Sequence, residues 1–237
     1  MALTRSLLFL TLAYIVTIGM VLAGIPVAFV SRRGFSHYAR RWAATLEWLA
    51  DHVLGVRLQI EGEVPRGPVL VAAKHESAYE TLVLMALLDD PVIVLKREIA
   101  DVPVFGPLTR RHGVIPVDRA ANAAALRRML AAADVAKAQA RAVLIFPEGT
   151  RVPHGEAPPL QAGFAGLYGR LGLPVVPVAT DAGVNWPKGV RKTPGVIRLR
   201  FGTPIPPGLP RKAAEAAVHA AINALNDGNE HFRHRSS

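Results

Sequence analysis

The chain opens on an apolar block that no charge interrupts. Residues 6–30 hold no charged side chain. As helix they would run roughly 37 Å at 1.5 Å per residue, and a bilayer core asks for about 20 such residues. Pro26 is expected to end or kink this helix, because it brings no backbone N–H and its ring crowds the preceding turn. That leaves Ser6–Ile25 as a segment of spanning length. A buried core helix and a cleaved signal peptide compete with a membrane anchor. Arg5 would be the signal's basic region and Val21-Leu22-Ala23 its cleavage site. The charge distribution argues against cleavage. Arg32, Arg33, Arg40 and Arg41 follow the segment, whereas only Arg5 and the α-amine precede it. By the positive-inside rule this places the bulk of the chain in the cytoplasm. Residues 1–32 are therefore expected to be a membrane-anchoring segment.

Periodicity changes at residue 33. Phe35, Tyr38, Trp42, Leu46, Leu49 and Val53 recur at helical spacing, with His37, Arg40, Arg41, Glu47 and Asp51 opposite them. An amphipathic helix over 34–54 follows, within a segment bounded at 33–57. Its stripe either packs on its own domain or lies at a lipid–water boundary with arginines on phosphates; the pattern leaves both open.

From residue 58 apolar runs of strand length alternate with helical patterns. Strands are predicted at 58–61, 68–73, 92–96, 114–117, 142–146, 175–179 and 196–201, and helices at 77–88, 122–139, 160–171 and 212–225. This alternation predicts one α/β domain over 58–228, with a mostly parallel central sheet flanked by helices. The Pro-rich stretches 153–159 and 204–210 read as internal loops, and the basic tail 229–237 as disordered.

Composition removes several chemistries. The chain has 237 residues, 28 Lys plus Arg against 18 Asp plus Glu, and a formal charge of +10. It has no cysteine, which excludes disulfides, thiolate metal sites and a thiol nucleophile. Of its six serines only Ser77 is interior, and no G-x-S-x-G elbow occurs. If the protein moves an acyl group, direct transfer is expected rather than an acyl-enzyme. The positive charge suits an anionic membrane surface or substrate. It would also suit nucleic acid, but no RNP, helix-turn-helix or zinc-finger pattern supports that partner.

Three motifs carry chemistry. Lys74-His75-Glu76-Ser77-Ala78-Tyr79-Glu80-Thr81 follows a strand and opens a helix, the edge of an α/β sheet where sites are built. His75 is a candidate general base, since imidazole titrates near neutrality. Glu80, within the first helical turn, is able to accept the second imidazole N–H and fix the tautomer. Ser77…Glu80 also matches the S-x-x-E capping box, in which the glutamate merely reaches back to a backbone N–H; both readings of Glu80 stand. His75-Glu76 does not extend to H-E-x-x-H, because position 79 is Tyr, so no metal site is expected. The second motif is Gly113-Val114-Ile115-Pro116-Val117-Asp118-Arg119, with Lys96 upstream; Arg119 follows a strand and is suited to binding phosphate. The third, Phe146-Pro147-Glu148-Gly149-Thr150-Arg151, is a rigid polar turn at a strand end.

In this order the motifs resemble the glycerolipid acyltransferases, specifically the 1-acyl-sn-glycerol-3-phosphate acyltransferases. That family's blocks are H-x4-D, a G-x-I-x-V-D-R-like stretch, F-P-E-G-T-R and V-P-V, which appear here as His75…Glu80, Gly113–Arg119, Phe146–Arg151 and Val176-Pro177-Val178. The chain departs from the family in having Glu80 for Asp, and Gln161 and Ala162 where basic residues are expected.

The resemblance implies that His75, oriented by Glu80, deprotonates the 2-hydroxyl of a lysophosphatidate, which attacks the thioester of acyl-CoA or acyl-carrier protein. Lys96, Arg119 and Arg151 would hold the glycerol phosphate, with Glu148, Gly149 and Thr150 shaping its pocket. It implies no cofactor beyond the acyl donor as co-substrate, membrane lipids as partners, and location at the inner cell membrane with the domain on the cytoplasmic face. Two alternatives remain: an acyltransferase of the same mechanism for glycerol 3-phosphate or a lyso-aminolipid, and a non-catalytic membrane module that binds anionic lipids.

Overall fold

The computed structural model describes residues 2–117 and 123–226. Arg119 and the tail 229–237 lie outside the described residues, and the structure carries no statement about them.

Among the described residues seven strands form one sheet: β1 (Val56–Glu61), β2 (Leu70–Ala73), β3 (Val92–Lys96), β4 (Ile115–Val117), β5 (Val143–Ile145), β6 (Val175–Thr180) and β7 (Gly195–Phe201), in the spatial order β1-β7-β6-β2-β5-β3-β4. The strands from β6 to β4 are mutually parallel. The pair β7 and β1 runs the other way: β7 is antiparallel to β6 and parallel to β1. The expected mostly parallel sheet is thus present, with a reversed pair at one edge.

Both faces are covered, which is why β2, β5 and β6 read as unbroken apolar runs. Strand alternation sorts their side chains between two cores. Val71, Ala73 and Leu144 pack with Leu46, Leu49 and Leu84 on one face. Leu70, Ala72 and Val143 pack with Phe164, Leu167 and Val218 on the other. The first group is covered by α2 (Arg32–Leu49) and α3 (Tyr79–Leu87), and the second by α6 (Ala123–Ala138), α7 (Ala162–Leu171) and α9 (Arg211–Ile222).

The first helix, α1 (Ala2–Val30), passes through Pro26 rather than stopping there. Pro26 sits in the last turn, where it removes a single N–H from the helical ladder, and the segment around it is pinned from outside. Gly24 lies against the Tyr38 ring so closely that a Cβ there would be 3.0 Å from it, and Arg111 Nε donates to the Ala28 carbonyl at 2.8 Å. Ser31 then caps α2, its Oγ accepting the Gly34 N–H at 3.1 Å. The stripe of α2 packs on its own protein: Phe35, Leu46 and Leu49 are buried. The helix continues through a π-helical turn, Ala50–Leu54, and ends at Gly55, whose φ of 73° is left-handed.

The domain holds α1 along its whole length. Arg5 Nε donates to Val53 O at 2.7 Å, the Lys192 N–H donates to Ser6 Oγ at 2.8 Å, and Phe9 meets Trp186 edge-on with centroids 5.1 Å apart. Further along, Trp42 Nε1 donates to Thr17 Oγ1 at 3.1 Å and Tyr38 OH to Met20 O at 2.9 Å. The outer side, including Leu7, Tyr14, Ile15, Ile18, Leu22 and Phe29, is exposed.

A polar latch joins α2 to the domain. Asp90 accepts from Arg32 at 2.6 Å, from Ser36 at 2.5 Å and from Arg141 Nη2 at 2.9 Å. Its backbone is left-handed, with φ of 50°, a conformation that Asp tolerates better than most residues.

Short helices that periodicity did not reveal complete the fold: α4 (Arg97–Ala100), α5 (Phe105–His112) and α8 (Ala182–Asn185).

Candidate active site

The strands β2, β3, β5 and β6 all deliver their C-terminal ends to one edge of the sheet, so the loops that follow them meet there. The loop after β2 carries His75, whose Nδ1 lies 2.8 Å from Glu80 Oε1. Glu80 is fully buried, and the loop before it converges on its carboxylate. Oε1 accepts the N–H groups of Glu76 at 3.0 Å and Ser77 at 2.9 Å, and Oε2 accepts the Ser77 hydroxyl at 2.7 Å. Ser77 Oγ in turn accepts the Tyr79 N–H at 2.9 Å. The reach-back of a capping box and the contact with imidazole are therefore made by one carboxylate. Because Glu80 acts as an acceptor throughout, Nδ1 donates its proton to it, and Nε2 is the ring nitrogen left for other partners.

The loop after β5 is tied to the same histidine. The His75 ring stacks on Phe146 with centroids 4.2 Å apart. The His75 N–H donates to Glu148 Oε2 at 2.8 Å, and the His75 carbonyl accepts the Val152 N–H at 2.7 Å. Glu148 Oε1 pairs with Lys74 Nζ at 2.8 Å, both side chains being fully buried. Lys74 also donates to Glu156 O at 2.5 Å and Asn223 Oδ1 at 2.6 Å. Glu148 thus spends both oxygens joining the two loops. Gly149 turns with φ of 70°, and a Cβ there would stand 3.0 Å from the Gln161 side chain, so the turn requires glycine.

His75 and the turn after β5 border a cavity of about 1310 Å³. His75, Lys96, Glu148, Gly149, Thr150 and Arg151 all line it. Its apolar walls include Met20 and Val21 of α1, Trp42 of α2, Leu108 of α5 and Met129 of α6. The site thus joins an imidazole whose Nε2 is turned away from Glu80, three exposed or half-exposed cations and a roomy apolar chamber. That combination suits an alcohol that is to be deprotonated beside a fatty chain and an anionic group.

Residues 55–181 match the family model described as Acyltransferase. The chain belongs to the acyltransferase family. It is 34% identical over 84% of its length to the 1-acyl-sn-glycerol-3-phosphate acyltransferase of Pseudomonas aeruginosa, spanning 76% of that protein. It is 30% identical over 65% of its length to the enzyme of that name from Limnanthes douglasii, of which it spans 56%. The fold is similar to the crystal structure of the 1-acyl-sn-glycerophosphate acyltransferase of Thermotoga maritima, with a TM-score of 0.75 over 96% of this chain and 98% of that one at 21% identity.

Within this acyltransferase, all the site residues named from the sequence except Arg119 fall in the described part and gather at one sheet edge. Two features there were not anticipated. Glu76 is buried within the His75–Glu80 loop; its Oε1 lies 3.0 Å from His154 Nδ1, and its Oε2 accepts the Gly183 N–H at 2.7 Å. Burial pushes the Glu76 carboxyl up to about 7, against the lowering effect of Gly183 and His154. Lys188, on the loop between α8 and β7, also lines the cavity. Its only signal in the sequence was a Trp-Pro-Lys-Gly turn.

Proposed function

We propose that this acyltransferase moves a fatty acyl chain from acyl-CoA or acyl-carrier protein to the 2-hydroxyl of 1-acyl-glycerol 3-phosphate, giving phosphatidic acid. The observation that carries the reading is the 2.8 Å contact between His75 Nδ1 and Glu80 Oε1 at the border of an apolar cavity that Lys96 and Arg151 also line. The names of the curated relatives support the same acceptor.

In this reading His75 Nε2 takes the proton of the 2-hydroxyl as its oxygen attacks the thioester carbonyl. Glu80 stabilises the imidazolium so formed. The tetrahedral intermediate collapses with departure of the thiolate, which receives that proton. No acyl-enzyme forms, and no cofactor is called for. Lys96 and Arg151 hold the acceptor's phosphate, and the chamber takes acyl chain. Holding both substrates together supplies the larger share of the acceleration, and the base adds about 10²–10⁴-fold.

The protein works at the cell membrane. A helix gripped from Arg5 to Ala28 by its own domain cannot cross a bilayer without drawing that domain in with it. In this reading α1 therefore lies in one leaflet, its outer apolar side in lipid and Arg32 and Arg33 at headgroup level, and the chain stays on the cytoplasmic face.

Purified protein in detergent, given labelled acyl donor and lysophosphatidate, should form phosphatidic acid. His75→Ala should lose turnover by about 10²-fold or more. Full activity in that variant would overturn the mechanism, and no product from the wild type with either donor would overturn the substrate.

A further inference from the structure

Three cations, Arg151, Lys188 and Lys192, gather at the FPEGTR turn. Lys188 Nζ donates to the Arg151 carbonyl at 3.0 Å, and both side chains line the cavity that His75 borders. Lys192 lies just behind; burial first, and then the Arg151 guanidinium, depress its ammonium pKa. Among the described residues no carboxylate forms an ion pair with Arg151, Lys188 or Lys192. Like charges so close repel, and a bound anion relieves that repulsion. A phosphate monoester, with a charge of about −1.5 to −2 near neutrality, is well matched to it.

The loop that carries Lys188 is built to stay in place. Lys192 Nζ donates to Pro187 O at 2.6 Å and Gly189 O at 2.8 Å, the carbonyls on either side of Lys188. The Lys192 ammonium also sits 5.4 Å from the centroid of the buried Trp186 ring. The Lys192 N–H is fixed to Ser6 Oγ of α1. Gln161 and Ala162 also line the cavity and bring no charge.

We propose that Lys188 binds the phosphate of the acceptor directly and so sets the preference for phosphate-bearing acceptors, with Lys192 and Ser6 positioning its loop. The inference rests on the lysophosphatidate reading above and adds a ligand to it. One Lys188 N–H is used by Arg151 O, and the remaining two are available to phosphate oxygens.

The test is steady-state kinetics of the full-length protein in mixed micelles, with lysophosphatidate and with 1-acylglycerol, which lacks the phosphate. Lys188→Gln should raise KM for lysophosphatidate about 10-fold, the usual scale for a lost hydrogen bond to a charged group. It should leave the acyl donor's KM and the use of 1-acylglycerol unchanged. Lys188→Arg should restore most of the loss. An unchanged melting temperature would show that the exposed side chain is not a folding element. In an Arg151→Ala background Lys188→Gln should still raise KM; no further effect there would reduce Lys188 to a prop for Arg151 and overturn the proposal. A rise confined to the donor's KM would overturn it too. Wild-type protein that acylates no phosphate-bearing acceptor would overturn the functional reading first and this inference with it, whereas an active wild type indifferent to Lys188→Gln would overturn the inference alone.

Discussion

Glu80 Oε1 stands 2.8 Å from His75 Nδ1 while the same oxygen accepts the backbone N–H groups of Glu76 and Ser77. Two tasks therefore load one side chain, and a substitution separates them only in part. In Glu80→Gln the amide oxygen at the Oε1 position still serves His75 and both N–H groups. The NH2 at the Oε2 position faces the Ser77 hydroxyl, which can turn to accept, and also the Ser77 N–H, which loses its 3.1 Å contact with Oε2 and keeps the one with Oε1. The charge that would stabilise an imidazolium in the proposed mechanism is gone. Turnover should fall about 10²-fold or more, while stability falls by about 1 kcal/mol. Paired rate and urea-melt measurements check this; a variant that melts normally and turns over normally would leave Glu80 as a cap only.

Arg151 is exposed at the cavity while its backbone is held by Lys188. Arg151→Ala should raise the acceptor's KM by about 10-fold or more, as expected for a charged hydrogen bond to phosphate, with a much smaller change in kcat. Initial rates across a lysophosphatidate series check it, and an unchanged KM would remove Arg151 from the phosphate site.

Stability should carry the signature of Glu76. Its carboxyl titrates at about 7 in the folded protein against an ordinary value of 4.5. Between these values the native state keeps a proton that the unfolded chain has released, so stability falls as pH rises. The contribution is whole below pH 4.5 and lost on passing pH 7. His112 acts in the opposite sense: burial lowers it from 6.5 to about 4, so its contribution is present above pH 6.5 and lost as pH falls through 4. The two slopes oppose each other in the wild type. Glu76→Gln should therefore expose a net gain of stability with rising pH between about 4.5 and 6.5. Denaturant melts over this range check it; parallel curves for the two proteins would contradict the Glu76 assignment.

Asp90 holds Arg32, Ser36 and Arg141 at once. Asp90→Asn keeps a residue suited to the left-handed backbone but leaves the buried Arg141 guanidinium without its counter-charge. A loss of about 2–3 kcal/mol follows, less than for a wholly buried pair because Asp90 is partly exposed. Urea titration of the two proteins measures it, and a loss below about 0.5 kcal/mol would mean that the latch is idle.

The strand positions were legible because a sheet covered on both faces leaves no polar alternation, so β2, β5 and β6 stand out as bare apolar runs. The gathering of the candidate site residues was legible because they cluster within short motifs after those strands. The sense of β7 was not, since direction in a sheet depends on partners far along the chain and not on local pattern. Helices α4 and α5 were hidden by Pro103, Gly106 and Pro107, and Val104 between them takes a φ of 66° that no β-branched residue advertises. Glu76 with His154 and Lys188 with Arg151 were invisible for another reason: each pair joins loops 78 and 37 positions apart in the chain. The sequence left open whether Glu80 reaches the imidazole or the backbone, and in the fold one carboxylate makes both contacts.

Met20 and Val21 belong to α1 and yet form part of the chamber wall. Trimming residues 1–30 would consequently open the chamber wall, and the shortened protein should lose turnover even where it stays in solution. Repainting the outward side of that helix, for instance Ile15→Lys with Leu22→Glu, is the route to solubility that keeps the wall intact.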